Sequence, residues 1–285
     1  MTTASLQALL SRLIDYAGLF PPAALDLANA VENYRRFRTS ADAWMLGAFV
    51  LPAGQVSAFQ SATQMAASPD DPPFRWPVSL LVEATDLPPD GLHVVAVEAK
   101  TNDPAVVRRF VERWPTAQVF IELNPTDERE VMWATLRELG AGAKIRTGGL
   151  TAEAFPSPET VASFILRAAD WRVPFKATAG LHHPIRAMYP LTYAPDSPQG
   201  LMHGFLNVFL AAAFAWHGMA PDNVERVLLE EDVSNFQFTD AGVTWHCQTL
   251  PTEAIAAARQ SFCRSYGSCS FDEPRADLRA LGLLD

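Results

Sequence analysis

The sequence predicts an α/β chain folded as one (β/α)8 TIM-type barrel over residues 1–285, with a β-hairpin inserted near the C-terminus. Three observations predict it. Short apolar runs alternate with amphipathic stretches, the pattern of parallel strands joined through crossover helices. The runs are enough in number to close a barrel, and barrels of about 250 residues usually stay single domains. No internal repeat, low-complexity tract or linker divides the chain. A doubly wound sheet is the alternative reading of the same alternation.

The elements follow in order. Leu13 to Ala17 reads as a strand that stops at Gly18 and Pro21-Pro22, and Leu25 to Phe37 as an amphipathic helix. Leu46 to Leu51 is a strand ended by Pro52, and Gln55 to Ala67 a helix. Val78 to Val82 and Val94 to Val97 are strands separated by a loop too short for a helix. Asp103 caps a helix to Trp114, with Pro104 at its first position. Val119 to Leu123 is the next strand, followed by a helix from Thr126 to Leu139 that Gly140 closes. Ala143 to Arg146 and Pro174 to Thr178 are strands around a helix from Pro158 to Ala169. His203 to Trp216 is a long apolar helix. Phe236 to Phe238 and Val243 to Trp245 flank Thr239-Asp240-Ala241-Gly242 as a hairpin. A helix from Thr252 to Phe262, a strand near Arg264 to Ser268 and a last turn of helix complete the chain.

Composition narrows the function classes. At 49% hydrophobic the chain can bury a large core. A net charge of −10 argues against nucleic-acid binding but leaves room for an anionic substrate in a locally basic pocket. No apolar run has the length of a membrane span, the N-terminus lacks a signal-peptide pattern, and Cys247, Cys263 and Cys269 form no CxxC pair. The expectation is a cytoplasmic protein acting on a small molecule.

Of 22 basic residues only Lys100, Lys144 and Lys176 are lysine. Lysine can lose its proton and attack a carbonyl; arginine stays charged. In a parallel barrel, chemistry sits at the C-terminal ends of strands. Those ends carry Glu83, Glu98 and Lys100, Glu122 and Asn124, Lys144 and Arg146, and Lys176, so all three lysines fall there. Alternation puts Lys144 with Arg146 on one face, Glu98 with Lys100, and Glu122 with Asn124.

Arg146-Thr147-Gly148-Gly149 and Thr178-Ala179-Gly180 follow adjacent strands, where glycine lets backbone approach a ligand. Gly267, Ser268 and Ser270 precede the last helix as a candidate anion cradle, with an ordinary cap by Ser270 or Asp272 as the plain alternative. His182 and His183 lie beyond a strand end as substrate-binding candidates; one of them could join His203 and a glutamate at a metal, although no HxH or HExxH pattern is present. His93, His217 and His246 read as structural.

Lys144-Ile-Arg-Thr-Gly-Gly, Phe-Lys176-Ala-Thr-Ala-Gly and Ser265-Tyr-Gly-Ser-Cys-Ser with its following helix together resemble class I (Schiff-base) aldolases of the deoxyribose-phosphate aldolase type. The chain also resembles a set of bacterial and plant proteins without an assigned activity. The aldolase resemblance implies a lyase in which Lys144 forms an imine, Lys176 lowers its pKa, and Glu122 or Glu98 relays protons in place of the family's aspartate. It implies no cofactor and no metal. Arg146 and the Gly267 to Ser270 segment would hold an anionic group.

Two other readings stand beside it. Glu83, Glu98 and Glu122 on successive strands resemble the Mg²⁺ ligands of enolase-type barrels, with Mg as cofactor and a lysine as base. A non-catalytic binding barrel would use the same lysines and glutamates as buried ion pairs. The Phe205 to Trp216 helix fits either the core or a homo-oligomer contact, and the Phe236 to Trp245 hairpin either a lid or an interface.

Overall fold

A computed structural model describes residues 2–66, 76–126 and 130–285. Ala67 of one predicted helix and residues 127–129 of another lie outside these. Eight parallel strands close a barrel in the order β1 (Ile14–Tyr16), β13 (Cys263–Ser268), β7 (Phe175–Thr178), β6 (Gly142–Arg146), β5 (Gln118–Glu122), β4 (Val94–Lys100), β3 (Val78–Leu81) and β2 (Leu46–Pro52). The closed ring excludes the doubly wound alternative.

The helices outside the barrel are α1 (Ala4–Leu10), α2 (Leu27–Arg38), α3 (Val56–Ala66), α4 (Pro104–Arg113), α5 (Glu130–Leu139), α6 (Pro158–Asp170), α7 (Phe205–Trp216), α8 (Pro221–Leu229), α9 (Thr252–Ser261) and α10 (Asp272–Ala280). Several start where side chains satisfy free N–H groups. Asp26 accepts from Asn29 N at 2.8 Å, Asp103 from Ala105 N at 2.8 Å, and Ser157 from Thr160 N at 3.2 Å. Gly140 ends α5 at φ +66°, a left-handed position that suits glycine. As predicted, no helix joins β3 to β4.

The period of two along each strand separates two environments. Tyr16, Phe49, Phe175 and Tyr266 point outward into aromatic contacts with the helix layer. Tyr16 meets Phe37 of α2, Phe49 meets Phe59 of α3, and Phe175 stacks with Phe209 of α7. The alternate positions, including Asp15, Ser79, Glu98, Lys144, Lys176 and Ser265, are polar and buried. A barrel interior is ordinarily filled by layers of branched apolar side chains. Here the middle of the barrel is ionic.

The long segment between β7 and β13 holds most of what the sequence reading left out. A hairpin of β8 (Ala187–Pro190) and β9 (Gln199–Met202) comes first. Helix α7 follows and is buried from Phe205 to Ala215 among its own chain's elements. It is core, which removes it as a dimer face. The predicted hairpin is present as β10 (Phe236–Phe238) and β11 (Gly242–Trp245), extended by β12 (Gln248–Pro251) into a three-stranded antiparallel sheet. It is tied to the start of α1 through Ser5 N to Thr239 O at 3.3 Å and Ala4 N to Asp240 Oδ1 at 2.9 Å. No helix among the described residues is long and apolar enough to cross a membrane.

Candidate active site

Register brings the charged residues together. Glu122 pairs with Lys144, Lys144 with Lys176, and Lys176 with Ser265 across neighbouring strands. Their side chains turn inward and form one chain of alternating charge. Lys176 Nζ lies 2.7 Å from Asp15 Oδ2 and 2.6 Å from Glu98 Oε1, and donates to Ser79 Oγ at 3.1 Å. Glu98 Oε2 then meets Lys144 Nζ at 3.1 Å, and Glu122 Oε2 closes on the same ammonium at 2.9 Å. Arg146 Nε reaches Glu122 Oε1 at 3.4 Å. Asp15 is held by Ala48 N at 2.7 Å and Ser265 Oγ at 2.7 Å. Gly47 makes that approach possible, since a Cβ there would lie 2.2 Å from Asp15 Oδ1.

The charges balance along the chain, which is how buried ions are tolerated. Burial alone would push the Glu98 carboxyl up. Lys176 and Lys144, with hydrogen bonds from Lys176 and Ser79, outweigh it and hold Glu98 well below the usual carboxylate range. Burial would likewise lower Lys176, but Asp15 and Glu98 keep it above the ordinary lysine value. Glu122 is lowered because Lys144 and then Arg146 outweigh its burial.

The upper part of this chain forms the floor of a cavity of about 650 Å³ at the C-terminal mouth of the barrel. Glu98, Glu122, Lys144 and Arg146 line it; Lys176 lies below, 2% exposed. The walls are largely apolar, with Phe20, Leu81, Phe155, Leu191 and Met202. The β8–β9 hairpin supplies the cover through Pro190, Leu191 and Met202, and the turn between its strands adds Tyr193. At the rim, His182 Nδ1 lies 2.9 Å from Glu273 Oε2, and Tyr193 Oη donates to the same oxygen at 3.1 Å. His183 Nδ1 lies 2.6 Å from Asp277 Oδ2, with its ring stacked on Tyr189 at 3.5 Å.

The structure gathers Lys144, Lys176, Glu98 and Glu122 and places Arg146, Thr178, Gly180, His182, His183 and Gly267 around the cavity. It redirects others. Thr147 is fully buried and donates to Ala179 O at 2.6 Å, tying two loops together. Gly148 serves close packing: a Cβ there would come within 2.8 Å of Gly180 Cα. Ser268 is buried and accepts from Ser270 N at 3.4 Å, while Ser270 Oγ accepts from Glu273 N at 3.1 Å. The Ser270 hydroxyl therefore serves an N–H in the first turn of α10, as the plain capping alternative expected. Lys100 and Asn124 are exposed, and Asn124 caps its own turn at Thr126.

The Mg reading loses its geometry. Glu83 is exposed in a loop held by Asp86, and the Glu98 and Glu122 oxygens face lysines. No three His, Cys, Asp or Glu side chains among the described residues gather as a group that could hold a metal. His203 bonds Pro156 O at 2.7 Å, away from the His182–His183 pair. The role assigned to Lys176 also changes. Glu98 stands between the two lysine amino groups, so Lys176 is paired with Glu98 and Asp15 rather than set directly beside Lys144.

Asp15, Ser79 and Ser265 belong to the same buried polar cluster, and the sequence reading missed them. Asp15 had a signal: a lone acid inside an otherwise apolar strand. The serines had none, because a hydroxyl in a strand is unremarkable until its register is known.

No protein-family model matches this sequence, and no curated protein matches it. Solved structures do. The UMP synthase of Leishmania donovani aligns at 17% identity and a TM-score of 0.40, over 62% of this chain and 45% of that one. The OMP decarboxylase of Leishmania donovani aligns at 16% identity and a TM-score of 0.38, over 62% of this chain and 78% of that one. A lysine/ornithine decarboxylase from Vibrio vulnificus aligns at 12% identity and a TM-score of 0.41, over 93% of this chain and 58% of that one. This chain thus spans less than half the length of the UMP synthase it is similar to.

Proposed function

We propose that the protein is a carbon–carbon lyase, aldolase-like, acting on a small carbonyl compound that carries an anionic group. One observation carries the reading. Of the three lysines, Lys144 alone presents its amine to the cavity, and it does so between two carboxylates. A proton passed from Lys144 to Glu122 leaves the net charge of the site unchanged. The free amine then adds to the substrate carbonyl, and loss of water gives the iminium. The iminium accepts the electron pair of the breaking carbon–carbon bond. Glu122, which stands nearer solvent than Glu98, returns the proton. Arg146 at the mouth suits the substrate's anionic group. Lys176 keeps Glu98 in place beneath.

The same two carboxylates favour a second reading. With carboxylates at 3.1 Å and 2.9 Å, a Lys144 ammonium would donate a proton to a carbanion formed in the same cleavage without a covalent adduct. Intact-mass measurement after borohydride reduction, with a panel of small aldehydes and ketones, separates the two. The imine route expects an adduct on the wild type that is lost in Lys144→Met. No adduct, with carbonyl ligands still protecting the wild type but not Lys144→Met against heat, selects the ammonium route. A Lys144→Met protein that fails to fold would support the non-catalytic binding barrel.

A further inference from the structure

A second cavity, of about 920 Å³, opens at the N-terminal end of the barrel, opposite the lysine site. It lies between α1, the start of β2 and α9. Asp15 and Lys176, the lower end of the ion chain, are among its lining, and their charges cancel. The remaining charged lining is Arg12, Arg38, Arg259 and Arg264.

Four guanidinium groups therefore share one concavity without a matching acid. Elsewhere many arginines sit on carboxylates, as Arg36 does on Asp272, Arg108 on Glu138 and Arg279 on Asp42. None of the four has a carboxylate within ion-pair distance among the described residues. Arg12, Arg38 and Arg264 are exposed, and Arg38 rests over the Trp76 ring at 5.4 Å. Arg259 is buried. Its guanidinium donates to Leu9 O at 2.7 Å, Ser11 O at 3.1 Å, and the carbonyls of Cys263 and Arg264. These carbonyls satisfy its hydrogen bonds but supply no counter-charge, and Asp15, the acid that acts on it through space, is already paired with Lys176. A buried, uncompensated charge is costly, and three more cations nearby add to the cost. On a chain of net charge −10 this is a local reversal of sign.

We propose that this cavity is an anion-binding site, distinct from the lysine cavity, for a small multiply charged ligand bearing phosphate or several carboxylates. Guanidinium forks match both groups in geometry. Gln7, Gln118 and Gln260 add neutral polar groups to the same lining. The site does not depend on the lyase reading.

Titration calorimetry with inorganic pyrophosphate and, separately, with citrate tests it at low and at physiological salt. The proteins are the wild type, Lys144→Met and the triple variant Arg12→Gln/Arg38→Gln/Arg264→Gln. Arg259 is left intact because its bonds are structural, and the three replaced side chains are exposed. The wild type and Lys144→Met should bind one of the probes alike. Each guanidinium removed should weaken binding roughly ten-fold, the size of a charge-assisted hydrogen bond. The preferred probe assigns phosphate or polycarboxylate. No binding of either probe to the wild type would overturn the proposal, and so would binding that survives the triple substitution or disappears in Lys144→Met.

Discussion

Glu98 carries more of the site than any other residue, because each of its oxygens serves one lysine. Glu98→Gln should cost about 3–5 kcal/mol in urea denaturation, the range for breaking a buried ion pair by removing one partner. The two lysines should differ. Lys176→Met strands Asp15 and Glu98, each only 5% exposed, and should cost a similar amount. Lys144→Met opens onto the cavity, where water can reach Glu122, and should cost about 1 kcal/mol or less. The same groups set a pH dependence. The Glu98 carboxyl is depressed, so its contribution is present above the ordinary carboxylate value and is lost as pH falls below it. Lys176 is raised, so its contribution is present below the ordinary lysine value and is lost as pH climbs past it. Stability measured against pH should form a plateau between these limits, and Glu98→Gln should flatten its acid shoulder. An unchanged acid shoulder in the variant would remove Glu98 as its source.

Strands and loops place these side chains. The β6 and β7 loops meet where Gly148 and Gly180 leave no room for a Cβ, and Gly180 also has φ +77°. Gly148→Ala should destabilise by about 1–3 kcal/mol through overpacking against Gly180 and Phe155. The loss should be accompanied by weaker ligand protection at the mouth, which thermal melts with and without a bound carbonyl compound would show. Ser270 belongs to α10 instead. Ser270→Ala should cost about 0.5–2 kcal/mol as a lost cap and leave the borohydride adduct pattern unaltered. A changed adduct pattern would return Ser270 to the substrate. The two inserted sheets also have different jobs. The β8–β9 hairpin covers the lysine cavity, whereas the β10–β12 sheet braces α1 and α9 and lines neither the mouth nor the floor.

At the scale of the whole molecule, the ionic chain runs through the barrel from Asp15 near one cavity to Arg146 at the other. The helix layer outside supplies the apolar burial that an ionic interior cannot. Trp245→Ala, which empties a buried site and removes the bond from its indole N–H to Glu230, should cost about 3–5 kcal/mol. It should leave adduct formation intact in the protein that remains folded. Loss of the adduct in folded Trp245→Ala protein would show that the sheet reaches the site after all.

The barrel was legible because its evidence is local and repeated. Val, Ile and Leu runs, Asp103 and Pro104 at a helix start, and Gly140 at a helix end each act within a few residues. The candidate lysines and glutamates were legible for the same reason: strand ends can be located from the runs before them. The helix α1 and the β8–β9 hairpin were not, since α1 is short and the hairpin's pattern is broken by prolines and turns. Partners lay further out of reach. Asp15 and Lys176 are far apart in the chain, and only ring closure brings β1 and β7 onto either side of β13. Likewise Glu98 became the bridge between two lysines, rather than a metal ligand, through the register of β4, β5, β6 and β7. Side-chain identity is written in the chain; which charges share a low-dielectric interior is decided by how the sheet closes.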